Sequence, residues 1–143
     1  MKKQLLDVIF ASEKRKSILL LLQDGPQEMN TFLKVLDTTR TTLLPQIRIL
    51  EDHNLVIHYD DTYELTTIGN LIIGKMVPLL DTIEVFDTDI DYWGTHNLDF
   101  IPFHLLRRIG ELKNPRIIKM SLQDAFELNE HMIETTFKSR FLF

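Results

Sequence analysis

The stretch that decides the fold is residues 25–65, which read GPQEMNTFLKVLDTTRTTLLPQIRILEDHNLVIHYDDTYEL. Its first apolar series, within residues 32–36, has helical spacing and predicts a short helix. Residues 37–39 are one aspartate and two threonines, which favour a tight turn and a helix N-cap. A second apolar series predicts a helix that begins between residues 39 and 42 and ends at His53. The stretch therefore begins as two helices joined by a tight turn.

Two extended runs complete the stretch. Residues 55–59 and 62–65 predict short strands, joined by a turn at Asp60 and Asp61. Helix, turn, helix and hairpin is the order of a winged helix-turn-helix, whose second helix enters a DNA major groove. Upstream, Ser12 is placed to cap a scaffold helix that ends before Gly25. We therefore expect a mainly α protein with a small β-wing, an α+β fold.

The composition is that of a globular protein without a general attraction for nucleic acid. Of its 143 residues, 44% are hydrophobic and 26% are charged, and the net charge is -5. Because phosphate neutralisation supplies most non-specific affinity for DNA, any contact with DNA must come from a local basic patch. The candidate cations of such a patch are Lys14, Arg15, Lys16, Lys34, Arg40 and Arg48.

The second helix of the stretch carries the candidate DNA-binding side chains. Leu43, Ile47 and Leu50 recur at helical spacing and are expected to face the core. Polar residues then remain near or on the outer face, and they are the types that bond base edges and phosphates. The predicted DNA-binding residues are Thr39, Arg40, Thr41, Thr42, Gln46 and Arg48, with Lys34 on the preceding helix.

Three features of the same segment favour an alternative. Leu44 and Ile49 are apolar where a groove-reading helix is usually polar, and Pro45 fits without a kink only if the helix begins as late as Thr42. The acidic turn between the strands would also repel phosphate. The alternative is an adaptor that docks another protein through Leu44 and Ile49 and has no specific DNA binding.

A long apolar helix is predicted over residues 67–86, capped by Thr66, and Pro78 is expected to bend or divide it. It has almost no polar face, and a module of residues 1–66 offers too little surface to cover it. We expect a homodimer, with an intrachain core helix as the alternative. The predicted dimerisation residues are Ile68, Leu71, Ile72, Met76, Leu79, Leu80 and Ile83. The chain is thus expected to divide into a winged helix-turn-helix domain (residues 1–66), a dimerisation or linker helix (residues 67–86) and a partial sensor region (residues 87–143).

Two runs of the sequence carry a resemblance to a known family. TYELTTIGNLI and DYWGTHNLDFIPFHLLRRIGEL resemble the archaeal winged-helix transcription regulators of the methanogenesis-regulatory type, which are related distantly to the ArsR and MarR groups. The resemblance implies that the winged helix binds double-stranded DNA and that a second domain receives a signal. It points to Thr39, Arg40, Thr41, Thr42 and Gln46 as the set that reads DNA.

The C-terminal region is short for such a regulator. One strand is predicted at residues 116–120 and one helix from about residue 121 to 138, so we expect the sensor domain of residues 87–143 to be an incomplete α/β region. Candidates to line a pocket for an unknown small-molecule effector are Trp93, His96, Phe100 and His104, with core packing as the favoured alternative for the aromatic residues.

Other chemistry finds little support in the sequence. There is no cysteine, no Gly-rich phosphate loop and no nucleophile-elbow motif, and the five histidines lack metal-ligand spacing. We expect no enzyme activity, no cofactor and no metal. No apolar run is long enough to span a membrane, so a cytoplasmic protein without a membrane partner is expected.

Overall fold

The computed structural model describes residues 2–112. The strand and helix predicted at residues 116–120 and 121–138 lie outside the described residues. In chain order the elements are α1 (Leu5–Phe10), α2 (Glu13–Leu22), β1 (Gln27–Glu28), α3 (Met29–Val35), α4 (Arg40–Asp52), β2 (Val56–Tyr59), β3 (Thr62–Leu65), α5 (Thr67–Asp87), α6 (Ile90–Thr95), α7 (Phe103–Leu106) and a 3-10 turn (Ile109–Glu111). The described part of the chain is thus mostly helical with one small antiparallel sheet, as the sequence predicts.

The core lies where α1 to α5 converge on the sheet. The apolar series of α4 is fully buried, which confirms the predicted inward face of that helix. Phe32 of α3 packs against Tyr63 of β3, with ring centroids 5.9 Å apart. The buried residues of this core are Val8, Ile9, Ile18, Leu19, Leu22, Met29, Phe32, Leu43, Ile47, Leu50, Leu55, Val56, Tyr63, Leu65, Ile73 and Met76.

Side-chain caps set where three of the helices begin. Ser12 accepts a hydrogen bond from the Arg15 N–H, and Thr66 accepts one from the Gly69 N–H. Thr39 caps α4 by accepting from the Thr42 N–H. An N-cap side chain satisfies one of the amides that the first helical turn leaves without a partner. The sequence predicted helix caps at these places, and Ser12, Thr39 and Thr66 are the N-cap residues of α2, α4 and α5.

The start of α4 corrects the expectation about its proline. The helix begins at Arg40 and not as late as Thr42, so Pro45 lies inside it. Proline has no N–H to donate to the Thr41 carbonyl. Both Thr41 and Pro45 are exposed, so water can reach that carbonyl. The proline is accommodated because it stands on the solvent side of the helix.

The sheet has the strand order β1-β3-β2, and all of its pairings are antiparallel. The β2–β3 hairpin turns at Asp60, whose φ of 54° is the positive value that two-residue hairpin turns require at this position. The sequence interpretation did not include β1, which has two residues and pairs Gln27 with Tyr63. A strand of two residues is too short to show the alternation of apolar and polar residues that predicts a strand.

Helix α5 is continuous from Thr67 to Asp87, so Pro78 does not divide it. One side of its first half joins the core through Ile73 and Met76. Its second half is covered from another direction by the 3-10 turn, where Gly110 approaches Thr82 so closely that a Cβ there would lie 2.9 Å from the threonine hydroxyl. Burial of the helix is therefore partly intrachain.

Among the described residues, no helix is both long and apolar enough to cross a membrane.

Candidate nucleic-acid interface

The outer face of α4 is a polar surface built around four residues. Thr41, Pro45, Arg48 and Asp52 recur at helical spacing opposite the buried series, and all four are exposed. Arg40 and Thr42 flank them and are exposed as well. This face therefore presents two guanidinium groups and two hydroxyl groups to solvent, together with one carboxylate at the C-terminal end.

The predicted DNA-binding residues divide into exposed and partly buried members. Lys34, Thr39, Arg40, Thr41, Thr42 and Arg48 are exposed, whereas Gln46 is partly buried. The hydroxyls of Thr41 and Thr42 lie 3.0 Å and 2.9 Å from the Thr39 hydroxyl, so three threonines meet at the N-terminal end of α4. The structure therefore brings most of the predicted set to one surface.

Gln46 faces the scaffold helices instead of the outer surface. Its Oε1 accepts a hydrogen bond of 2.7 Å from Nη1 of Arg15, a residue of α2 that is only 7% exposed. The Nε of Arg15 donates to the Val8 carbonyl in α1. One buried guanidinium thus connects α1, α2 and α4. Arg15 is also withdrawn from the basic patch that the sequence suggested.

A neighbouring lysine tethers the turn of the helix-turn-helix. Lys14 Nζ donates to the Thr38 hydroxyl over 3.2 Å, which joins α2 to the segment between α3 and α4. Lys16 is paired with Glu13 at 2.8 Å. Each of the three consecutive cations of α2 therefore has an intrachain partner and is at least partly buried, whereas Lys34, Arg40 and Arg48 are exposed. Lys2 is exposed as well, and its Nζ donates to the Asp52 carbonyl at the end of α4.

The wing contacts α4 along one flank. Arg40 Nη2 lies 3.2 Å from Asp61 Oδ1, and His58 of β2 bonds the Glu51 carboxylate. Burial raises the pKa of the Tyr63 phenol, and the negative charges of Asp61 and Glu51 raise this pKa further. Two side-chain contacts therefore connect both ends of α4 to the hairpin, and the acidic turn lies beside the helix expected to read DNA.

The two apolar side chains that favoured an adaptor are not free on the surface. Leu44 and Ile49 are both partly buried and pack against the hydrophobic core. The exposed apolar residue of this face is Pro45, at its centre. The alternative that uses Leu44 and Ile49 as a docking surface therefore loses most of the area that suggested it.

The residues proposed to line an effector pocket do not line the cleft that the structure shows between α5 and the 3-10 turn. Trp93 packs edge-on against Phe86 and Tyr92, and His96 bonds the Tyr92 carbonyl at 2.6 Å. Phe100 is 80% exposed, and His104 is exposed. A cleft of about 330 Å³ lies instead between α5 and the 3-10 turn, lined by Pro78, Asp81, Thr82, Arg107, Arg108, Gly110 and Glu111.

Within residues 2–112, no group of three or more histidine, aspartate or glutamate side chains is arranged to hold a metal ion.

Comparison with known proteins places the chain in a regulator family. The family model described as "Methanogenesis regulatory protein FilR1, N-terminal domain" matches residues 3–84. A relative named methanogenesis regulatory protein FilR1, from Methanothrix harundinacea (strain 6Ac), is 26% identical over 125 residues. The match covers 87% of this chain but 28% of that relative, so the chain spans little more than a quarter of its length. No solved structure matches. Because the family model covers more than half of the residues, the chain belongs to the family of the FilR1 N-terminal domain.

Proposed function

We propose that the chain is a transcriptional regulator that binds double-stranded DNA as a homodimer and reads an operator through α4. The observation that carries the proposal is the outer face of this helix, where Arg40, Thr41, Thr42 and Arg48 are exposed together. Arginine and threonine are side chains that bond base edges and phosphates. Membership of a family named for a regulatory protein supports the same function. A distant kinship to the ArsR and MarR groups is part of the proposal.

The expected reading set is narrower than the sequence suggested. Gln46 is engaged by Arg15 and is assigned a supporting role. The exposed polar residues that remain are Lys34, Thr39, Arg40, Thr41, Thr42 and Arg48. Pro45 stands at the centre of this face and can offer only an apolar contact, such as one to a thymine methyl group.

The homodimer is proposed from the uncovered side of α5. Ile68, Leu79 and Ile83 form one exposed stripe at helical spacing, with Leu71 beside it at 70% exposure. Over this span the stripe is about 22 Å long, from a rise of about 1.5 Å per residue. Met76 belongs to the chain's own core, and Ile72 and Leu80 pack against it, so these three residues leave the predicted dimer contact. A second copy of α5 would cover the remaining members.

The dimer has a geometric purpose in the proposed function. Two recognition helices read successive major grooves when they are separated by one DNA turn, about 34 Å. We assign the residues after α5 to reception of a signal, with a small molecule as the effector and the cytoplasm as the compartment. The regulator family favours a protein without catalytic activity.

A band-shift experiment with the DNA upstream of the protein's own gene tests DNA reading. Arg48→Ala removes an exposed cation from α4, and Arg107→Ala removes an exposed cation from the far end of the described chain as a matched control. We expect Arg48→Ala to weaken binding by about tenfold or more if the arginine contacts a base, and Arg107→Ala to have little effect. The proposal fails if the wild-type chain does not bind at low salt, or if the two variants behave alike.

A further inference from the structure

The turn of the wing places a carboxylate against the first arginine of α4. The 3.2 Å ion pair joins Arg40 to a residue 21 positions later in the chain, and its two side chains are 56% and 49% exposed. The carboxylate is presented from an anchored backbone, because the Asp61 carbonyl accepts a hydrogen bond from the Met29 N–H at 3.2 Å. The neighbouring Thr62 pairs with Glu28 in the sheet. Asp61 is therefore held in place beside Arg40.

This pair removes a large share of the positive charge that α4 can offer to DNA. The two cations of α4 are Arg40 and Arg48, and the helix also carries Glu51 and Asp52 near its C-terminal end. With Arg40 occupied, Arg48 is the cation of α4 for which the described residues provide no ion pair. Contacts with phosphate supply the sequence-independent part of DNA affinity, so a carboxylate that competes with phosphate for Arg40 lowers that part.

We propose that Asp61 is a specificity-determining residue, which suppresses binding to DNA backbone by occupying Arg40 so that binding depends on the fit of base edges to α4. The inference rests on the proposed DNA-binding function. The acidic turn lowers the affinity for every DNA site, so at a given protein concentration only the sites that add base contacts with α4 are occupied. An exposed ion pair shifts an equilibrium by at most a few-fold, so phosphate can displace Asp61 from Arg40 at a cost.

The turn supplies its own matched control. Asp60 lies next to Asp61 in the same hairpin turn and is exposed, and among the described residues no ion pair is formed by its carboxylate. Asp60→Asn and Asp61→Asn each remove one negative charge at nearly the same place. Asparagine also tolerates the positive φ of residue 60. A difference between the two variants therefore reports on the pairing with Arg40 and not on the net charge.

The experiment measures the affinity of the full chain for a fluorescent duplex of mixed sequence by anisotropy, between about 50 and 200 mM salt. We expect Asp61→Asn to bind roughly threefold more tightly per chain than Asp60→Asn. A plot of log affinity against log salt concentration should be steeper for Asp61→Asn than for Asp60→Asn by about one unit per chain, because one more cation becomes free to contact phosphate. In an Arg40→Ala background the two variants should bind alike.

The outcomes separate this inference from the proposed function. If the wild-type chain binds the duplex and Asp61→Asn equals Asp60→Asn in affinity and salt dependence, the inference is overturned and DNA binding stands. If Asp61→Asn binds more weakly than Asp60→Asn, Asp61 orients Arg40 for binding and the inference is again overturned. If the wild-type chain and both variants fail to bind at low salt, both the inference and the proposed function are wrong.

Discussion

Replacing Gln46 is expected to destabilise the protein and not merely to remove a contact with DNA. The substitution Gln46→Met keeps the length of the side chain and the helix propensity of the position, but it removes the acceptor for Arg15. The Arg15 guanidinium then stays buried, with the Val8 carbonyl as its remaining partner among the described residues. A buried charged donor that loses an acceptor bears a desolvation cost.

The expected size of the effect follows from the bond that is lost. Hydrogen bonds to charged groups contribute about 1.5–3 kcal/mol to the free energy of unfolding. The 2.7 Å distance and the burial of Arg15 put this bond in the middle or upper part of that range. We expect a loss of about 2 kcal/mol. For a chain of this length, that loss lowers the melting temperature by roughly 5–10 °C.

The assay is thermal and urea unfolding followed by circular dichroism, with two controls in the same helix. Gln46→Glu keeps an acceptor for Arg15, so we expect its stability at neutral pH to equal or exceed that of the wild type. Arg48→Ala changes an exposed side chain of α4, and we expect its stability to stay within about 0.5 kcal/mol of the wild type. The three variants together separate the buried hydrogen bond from changes in helix propensity or net charge.

One result would refute this reasoning directly. If Gln46→Met is as stable as Arg48→Ala and yet loses affinity for a specific DNA site, then Gln46 reads DNA, as the sequence pattern suggested. A double-mutant cycle that adds Arg15→Met sharpens the test. Replacement of both partners by apolar side chains should cost less than the sum of the two single replacements, because no buried charge remains unpaired.

Three further predictions concern other parts of the chain. Leu71→Glu places a charge beside the exposed stripe of α5 and should shift the chain to monomers in sedimentation equilibrium. The control Asn70→Glu, one residue away, should leave the dimer intact. A wild-type chain that is already monomeric at micromolar concentration would contradict the dimer. Thr66→Ala removes the cap of α5 and should lower the free energy of unfolding by about 1 kcal/mol in urea titrations, and an unchanged midpoint would mean that the cap contributes nothing. Burial raises the pKa of Tyr63 in the folded protein above the ordinary pKa of the unfolded chain. The contribution of the neutral phenol to stability is therefore complete below the ordinary pKa and is lost as the pH rises through the raised pKa. An absorbance titration compared with Tyr63→Phe measures this shift, and a Tyr63 that ionises at or below the ordinary pKa would contradict it.

The elements of the winged helix follow closely from local sequence signals. Leu43, Ile47 and Leu50 recur with the helical period and are buried, and Thr39 and Thr66 cap the helices that follow them. These signals act within a few residues, so a pattern in one segment is enough to read them. Local signals did not predict the two-residue strand β1 or the position of Pro45 inside α4, because both depend on how a segment packs against its neighbours.

The candidate site was less accessible to the same reasoning. A helical period predicts the direction of each α4 side chain but not what stands opposite it. Gln46 meets Arg15, 31 residues earlier, and Arg40 meets Asp61, 21 residues later. The acidic turn was visible in the sequence as a difficulty for DNA binding. Its contact with the arginine of α4 was not visible, because no local signal encodes it.

The sequence by itself determined the helices α2 to α5, the two strands of the hairpin and which face of α4 is apolar. These properties depend on side-chain period, capping and composition, which are local. Tertiary structure alone decided which polar residues of α4 remain available, since α2 engages Gln46 and the wing engages Arg40. It also decided that Met76 belongs to the core while Leu71 stays exposed. Each of these outcomes requires two distant segments to meet, and the contact forms only when the whole core packs.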